Sequence, residues 1–514
     1  MHDLTQPRML FRKRGSTRNQ HITPRQSALF LALSLSLSGA SAATINVGPS
    51  CNLINAIKSA ETNTSVGGCT AGSGASDTIN LENGNDYLLD HIESSNNGDS
   101  ALPTITSTIT IEGNSAAFNK GGILDFRFIY ISGSGNLTLK NLTLTGSQAT
   151  GGSGAAGDGG AILMRGGSLT LDGCAIHHTT ASVRGGAISA DSGTLTITNS
   201  HFYNNNAFNG GAIYNNGNHL SISNSTITTN TATNIGGGIL VSSSSTVAID
   251  NTTLSSNTAA TGGGLSSTGL FLPPTTIAIS NSRITNNVAS GANQSGGGID
   301  NKSFSVINIT GSIISGNSSA HGGGLSNNSS SGSSLSITNS TISGNSAASS
   351  GGALFAGSGV VTLTNATVSD NTAPVTYGSI HNDAATLTLA NSIIANSKTS
   401  GGAGTDCKGT LLDTGHNWFE DNSCGRTGNG DPKLGPLADN GGPSKTHALL
   451  AGSGAIDAAG ECKLVTDQRG QPRSACKCDI GAYEKTETSP DNESCKASFF
   501  VIPLSGGKTV IFGL

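Results

Sequence analysis

Between Ile109 and Asn391 one five-residue phrase recurs eleven times: two aliphatic residues one position apart, then Asn or Gly two further on, at intervals averaging about 28 residues. The pairs are Ile109/Ile111, Leu137/Leu139, Leu169/Leu171, Leu195/Ile197, Leu220/Ile222, Val247/Ile249, Ile277/Ile279, Ile307/Ile309, Leu335/Ile337, Val361/Leu363 and Leu387/Leu389, each enclosing a polar or small residue. Such alternation predicts a strand with one buried face. The closing position is Asn in eight copies (Asn141, Asn199, Asn224, Asn251, Asn281, Asn339, Asn365, Asn391) and Gly in three (Gly113, Gly173, Gly311). Asn and Gly share a tolerance of left-handed backbone, so each strand is expected to end in a corner of positive φ.

Two further phrases interleave with the first. One is an apolar residue followed three later by Asn: Phe202/Asn205, Ile227/Asn230, Leu254/Asn257, Ile284/Asn287, Ile314/Asn317, Ile342/Asn345, Val368/Asn371 and Ile393/Asn396. The other is a Gly pair before small or aliphatic residues, as in Gly159-Gly160-Ala161-Ile162, Gly185-Gly186-Ala187-Ile188 and Gly210-Gly211-Ala212-Ile213, with later copies beginning at Gly237, Gly263, Gly297, Gly323 and Gly351. Three strands and three corners per repeat describe one coil of a parallel β-solenoid, an all-β fold whose coils bury their apolar faces only by stacking. Eleven or more coils at the usual strand spacing of ~4.8 Å would span roughly 50 Å. The Asn phrases are read as corners, with amide ladders along the axis satisfying buried backbone groups; a ligand-binding role is the alternative.

Composition adds a compartment. Residues 1–42 read as a secretory signal, with Arg8, Arg12, Lys13, Arg14, Arg18 and Arg25 leading an apolar stretch from Ala28 to Leu37 and a small-residue cleavage site at Ala40-Ser41-Ala42. No later stretch is apolar for long enough to span a bilayer. Without residues 1–42 the chain's 26 basic and 31 acidic side chains fall to 20 and 30, a net formal charge of −10. That balance argues against nucleic acid as a partner. The 72 Gly and the 11% charged content resemble a low-complexity tract, but a disordered tract has no reason to keep a period.

The nine Cys match no zinc spacing and, in an exported chain, read as disulfides. Cys51 with Cys69 and Cys407 with Cys424 each close fewer than twenty residues. Cys462 with Cys478 is the preferred third pair, Cys174 the expected free thiol, and the three bridges are expected to staple caps over the open ends of the solenoid.

The segment Cys51 to Ile57, with Gly68-Cys69, Gly72-Ser73-Gly74 and Asp77 to Leu81, resembles the N-terminal module of bacterial surface proteins named for a Cys-Ser-Leu-Arg-Glu-Ala motif, with Asn52, Ile54 and Asn55 in place of Ser, Arg and Glu. Asp431-Pro432, Leu434 to Pro443, His447-Ala448-Leu449, Ala455-Ile456-Asp457, Asp467 to Gly470 and Cys478 to Glu484 resemble the choice-of-anchor Q module. The Gly-Gly-Ala-Ile and Phe-x-x-Asn phrases resemble repeats of polymorphic outer-membrane proteins. These resemblances imply a right-handed parallel β-helix on or around a bacterial surface. The expected organisation is signal 1–42, N-terminal cap 43–107, coils 108–400, C-terminal module 401–484 and a tail hairpin 485–514.

Chemistry is sparse. Hydrolysis on such a fold wants paired carboxylates on adjacent coils. The coil acids Asp172, Asp191, Asp250, Asp300, Asp370 and Asp383, and the cations Arg165, Arg184, Arg283, Lys302 and Lys398, share no single phase in the sequence. His177-His178, with His201 nearby, could form a metal site only with a bend, because adjacent strand residues face opposite ways. Asp467, Arg469 and Asp479 read as an ion-paired scaffold rather than a site. The expectation is therefore a secreted or surface-displayed structural and adhesion protein. It has no catalytic, metal or cofactor residue singled out, and its partner would be an extracellular glycan or a cell-surface protein. The alternative is a polysaccharide lyase or hydrolase.

Overall fold

The computed structural model describes residues 41–74, 76–152, 154–269, 273–302, 304–328, 332–399, 401–462, 464–475, 477–486 and the strand backbones of 500–504 and 508–512. Residues 1–40 of the expected leader, Leu270-Phe271-Leu272, Cys476 and Cys495 lie outside those residues. From Ala42 onward the chain forms one structural unit.

The eleven phrase strands pair in parallel, coil on coil, with their aliphatics aligned. Leu195 faces Leu220, Leu220 faces Val247 and Val247 faces Ile277. All twenty-two aliphatics are at most 2% exposed. This first row continues beyond the phrases, into Asp77–Asn80 and Thr44–Asn46 on one side and Leu412–Asp413 on the other. A second row (Ala175–His177, His201–Tyr203, Thr226–Thr228 and onward) buries Ile176, Phe202 and Ile227. The Gly-pair phrases open another, with Ile188, Ile213, Ile239 and Leu265 stacked inward. Between these two lies an extended segment of two to five residues that no phrase marks, a separate eight-stranded ladder. Its core side is a column of alanines, Ala149, Ala181, Ala207, Ala232, Ala259 and Ala289 among them, all at most 4% exposed. We call this short segment the third row and the Gly-pair strands the fourth.

Each corner has its own chemistry. The eight first-corner Asn take φ between 43° and 51°, and Gly173 and Gly311 take 65° and 61°. Gly113 departs: a register shift between Glu112 and Ala116 moves the left-handed residues to Asn114 and Ser115. The residue after the corner builds a hydroxyl ladder. Ser200 Oγ accepts from Cys174 N at 3.1 Å and donates to Thr198 O at 2.7 Å, and Ser225, Thr252, Ser282, Ser312 and Ser340 repeat the accepting bond.

At the second corner the expected amide ladder is present. From Asn205 through Asn230, Asn257, Asn287, Asn317 and Asn345 to Asn371, each Oδ1 accepts from the backbone N–H of the preceding rung at about 3.0 Å, and, from Asn230 onward, from that rung's Nδ2 as well. The Ile393/Asn396 copy is out of step. Ile394, not Ile393, stacks on Val368, so Asn396 occupies the left-handed corner at φ 53° and Ser397 takes the rung position. At the third corner the left-handed Gly heads the pair at Gly159, Gly185, Gly210 and Gly351 and stands one residue earlier, at Gly236, Gly262, Gly296 and Gly322, in the other copies, and the Gly after it touches the next coil. A Cβ on Gly186 would lie 2.1 Å from Gly211 O and 2.6 Å from Asn206 N.

At the N-terminal end a helix, Leu53–Thr62, which the strand phrases do not signal, buries Leu53, Ala56, Ile57 and Ala60 in the main core, and Asn52 Oδ1 caps it through Asn55 N at 2.8 Å. Cys51–Cys69 ties this helix's entry, and Cys407–Cys424 ties the last coil. Cys462–Cys478 does not cover an end. It lies in residues 434–485, which run back along the outside of the second row: Ser444 Oγ donates to Gly311 O at 3.1 Å, Thr341 Oγ1 to Gln468 Oε1 at 2.6 Å, and Ala482 N to Thr367 Oγ1 at 3.0 Å. Ile393 and Ala395 meet Leu449, Ala455 and Ile480 there in a small second core. Among the described cysteines Cys174 is the free thiol: it begins the hydroxyl ladder, is buried, and burial pushes its thiol up to about 11. The tail forms the expected hairpin, Phe500–Leu504 against Lys508–Phe512.

Candidate functional site

Six of the eleven coil charges sit on or beside the fourth row, at more than one register position: Asp191 pairs with Arg165 and Asn216, Asp300 with Ser266 and Ser326. Arg165 faces Asp191 across coils, Arg184 occupies the corner leading into the same coil, and Asp300, Lys302 and Asp383 follow in later coils. Cross-strand register puts Ser189, Tyr214, Leu240, Ser266, Asp300, Ser326, Phe355 and His381 in one outward column. The residue just after the aliphatic of each Gly-pair phrase defines that column, and aligning the phrases on it would have found Tyr214 and Phe355, whereas His381 follows Gly378-Ser379-Ile380, where the pair is broken.

The column has two chemically distinct ends. Toward the N-terminus Arg184 grips Asp158 with Nη2 at 2.6 Å and Nε at 3.0 Å, and packs its guanidinium 4.8 Å from the Tyr214 ring. The Asp158 hydrogen bond holds Arg184 in its charged form. Asp191 lies 3.7 Å from Arg165 and 3.9 Å from Arg184. Beneath them Arg127 is fully buried and spends its donors on the carbonyls of Asn97, Ala155, Ala156 and Asp158, with burial pushing the guanidinium down to about 10. Each acid of this cluster thus faces an arginine.

Midway stands Asp300, fully buried, its carboxyl raised chiefly by burial, bonded to Ser295 Oγ at 2.9 Å and 3.2 Å from Lys302 Nζ. Its column neighbours are Ser266 and Ser326, so no second carboxylate faces it from an adjacent coil. Four coils separate Asp191 from Asp300 and three separate Asp300 from Asp383, ~19 Å and ~14 Å at ~4.8 Å per coil, beyond the separations of carboxylate pairs in glycoside hydrolysis.

Toward the C-terminus the column becomes a ring ladder. Phe355 lies 5.4 Å from His321 and 5.4 Å from His381, Tyr377 lies 5.2 Å from His381, and Lys408 Nζ sits 5.9 Å from the Tyr377 ring. Tyr377 is 41% exposed, and burial lowers the His381 imidazole, leaving an uncharged ring beside Phe355. Few as the aromatics are, the fold gathers these three coils' worth on one face.

Elsewhere the singled-out residues serve corners and docking. Asp172 accepts from Asn199 Nδ2 at 2.8 Å and Asp250 from Asn281 Nδ2 at 2.9 Å, each bracing a first corner. Asp370 pairs with Lys398 at 2.7 Å. Asp370 also approaches His447, itself 2.9 Å from Ser343 Oγ, but the arrangement is no nucleophile relay: the carboxylate and the hydroxyl crowd the same Nε2 while Nδ1 bonds Gly435 O, and His447 is 1% exposed. Asp467 accepts from Arg469 Nε at 2.8 Å and from the backbone of Arg469, Gln471 and Glu484, and Asp479 from the backbone of Asp457 and Lys485. Those bonds hold loops. His177 and His178 lie on the outer side of the second row with their Nδ1 atoms 2.8 Å apart. Among the described residues no three His, Cys, Asp or Glu converge as a metal site.

A family described as the right handed beta helix region matches residues 127–304. With the parallel stacking of its coils, this makes the chain an all-β right-handed parallel β-helix. Among solved structures it is similar to a pectate lyase, Pel9A, at 16% identity and a TM-score of 0.40, over 87% of this chain and 98% of that one. It is also similar to the catalytic domain of a GH87 α-1,3-glucanase in complex with nigerose, at 13% identity and a TM-score of 0.30, over 72% and 68% of the two chains. No curated protein matches the chain.

Proposed function

We propose that this chain is an exported structural and adhesion protein of a bacterial surface that holds extracellular glycan on the outer side of its fourth row. The observation that carries the reading is the ring ladder of His321, Phe355, His381 and Tyr377, with Lys408 at its edge. The rings, tilted by 46° to 52° to one another, offer apolar surface for sugar rings to pack on, with Tyr377 the most open of them at 41% exposure. Export is supported by the leader-like residues 1–42, the three disulfides, and the resemblance of segments 51–81 and 431–484 to modules of bacterial surface proteins. Among the described residues no helix is long and apolar enough to cross a membrane. The fourth-row acids are engaged by arginine or isolated by several coils, which favours binding over turnover.

The test is retention of the oxidised protein in native gels cast with acidic or neutral polysaccharides. Phe355→Ala is expected to weaken retention about tenfold, the ~1–3 kcal/mol range of a stacking contact, without shifting the melting temperature of the coils. The competing reading, a polysaccharide-cleaving enzyme, draws on the buried Asp300 beside Lys302. New reducing ends or unsaturated products that disappear in Asp300→Asn would establish it and overturn the adhesion reading.

A further inference from the structure

The second corner of the Cys174 coil departs from its neighbours. The left-handed position that carries Asn204, Thr229, Ser256, Asn286, Gly316 and Gly344 in later coils is His178, at φ 53°. A strand would send His177 and His178 to opposite faces, but the left-handed turn swings the second imidazole back beside the first. Their Nδ1 atoms stand 2.8 Å apart, with Thr145 Oγ1 3.0 Å from His177 Nδ1. The rings are held in place: Tyr203 stacks on His177 at 4.4 Å and meets His178 edge-on at 6.0 Å, and Asn204 Nδ2 reaches His178 Nε2 at 3.4 Å. Two nitrogens ~2.0 Å from one ion and at right angles are ~2.8 Å apart, whereas the tetrahedral angle that zinc prefers needs ~3.3 Å. The spacing therefore suits tetragonal coordination.

We propose that His177 and His178 form a bidentate bis-imidazole site for a tetragonal divalent cation, Cu2+ before Ni2+, with water in the remaining positions. Without metal, one Nδ1–H donates to the other Nδ1; to bind the cation, that imidazole takes its Nε2–H tautomer, so that both Nδ1 lone pairs serve the ion and both rings stay neutral. His201, 4.5 Å from Tyr203 on the neighbouring coil, is not required for the chelate.

The probe is Cu2+ alone, titrated into the full oxidised chain in a non-coordinating buffer and followed by electron paramagnetic resonance. One equivalent should give a tetragonal spectrum with hyperfine structure from two nitrogens. His178→Asn, which keeps a residue suited to the corner, is expected to lose the two-nitrogen pattern and to weaken the first equivalent by at least about tenfold, because the chelate becomes a single imidazole. His201→Asn should leave both unchanged, and circular dichroism melts would confirm that each variant is folded. The same spectrum and affinity in folded His178→Asn, or first-equivalent binding no tighter than in the His177→Asn/His178→Asn double variant, would overturn the proposal.

Discussion

At the residue scale two kinds of asparagine look alike in the sequence and differ in consequence. Asn257 is fully buried: its Oδ1 accepts from Asn230 N and Nδ2, and its own Nδ2 donates to Ile227 O and Asn287 Oδ1. Asn257→Leu orphans donors and acceptors on both neighbouring coils, and at ~1–3 kcal/mol per unmade buried bond it should cost about 3 kcal/mol or more in chemical denaturation. Asn251 is an exposed corner at φ 43°, for which Gly serves as well, so Asn251→Gly should shift stability by no more than about 0.5 kcal/mol. A third test concerns Asp406, whose carboxyl is pushed up to about 7, first by burial. The folded state binds this proton more tightly than the unfolded chain, so the group's contribution is full below the ordinary carboxylate range and is lost as pH rises toward 7. Asp479, raised to about 6, acts in the same direction. Lowered imidazoles such as His447 act oppositely as pH falls through the ordinary imidazole range. The difference in unfolding free energy between Asp406→Asn and the parent should therefore grow in the variant's favour from pH 4 to pH 7 and then level. A difference independent of pH would contradict this assignment.

At the element scale the strands were legible because a period of two over stacked aliphatics leaves little choice of face, and the positive-φ corners because few side chains accept one. The hydroxyl ladder was legible in principle: Asn199-Ser200, Asn224-Ser225, Asn251-Thr252, Asn281-Ser282 and Asn339-Ser340 repeat a dipeptide whose second member proves as constrained as its first. The third row escaped notice since it contributes only one small inward residue per coil. The slip at Asn396 escaped too, because a register shift of one residue is visible only when Ile394 is seen on Val368. The Gly pair is the least forgiving element. Gly186→Ala places a methyl against Gly211 O and Asn206 N, which are main-chain atoms of the next coil and cannot turn aside. We expect a loss of ~4 kcal/mol or more, read as a large drop in melting temperature or a failure to accumulate folded protein.

At the scale of the whole chain, residues 434–485 are tied to the coils by buried polar groups. Arg473 donates to Asn339 Oδ1, Gly481 O, Asp479 O and Glu484 Oε2. Arg473→Met strips Glu484 of its cation inside the contact, a change of ~3–5 kcal/mol. Limited proteolysis should then cut within 434–485 while the coils from Leu195 to Leu363 resist. Unchanged fragments would mean that apolar contacts at Ile393 suffice. The repeats by themselves determined a parallel β-solenoid, its inward residues, its left-handed corners and, through short loop closures, its disulfides, because all of these depend on positions close in sequence or one period apart. Tertiary structure decided what depends on distant segments meeting. It laid the C-terminal module along a flank instead of over an end, gathered Tyr214, Phe355 and His381 into one outward column, and turned His178 back beside His177, since the direction of an outward side chain is set by corner geometry and coil register, on which a buried aliphatic pattern places no demand.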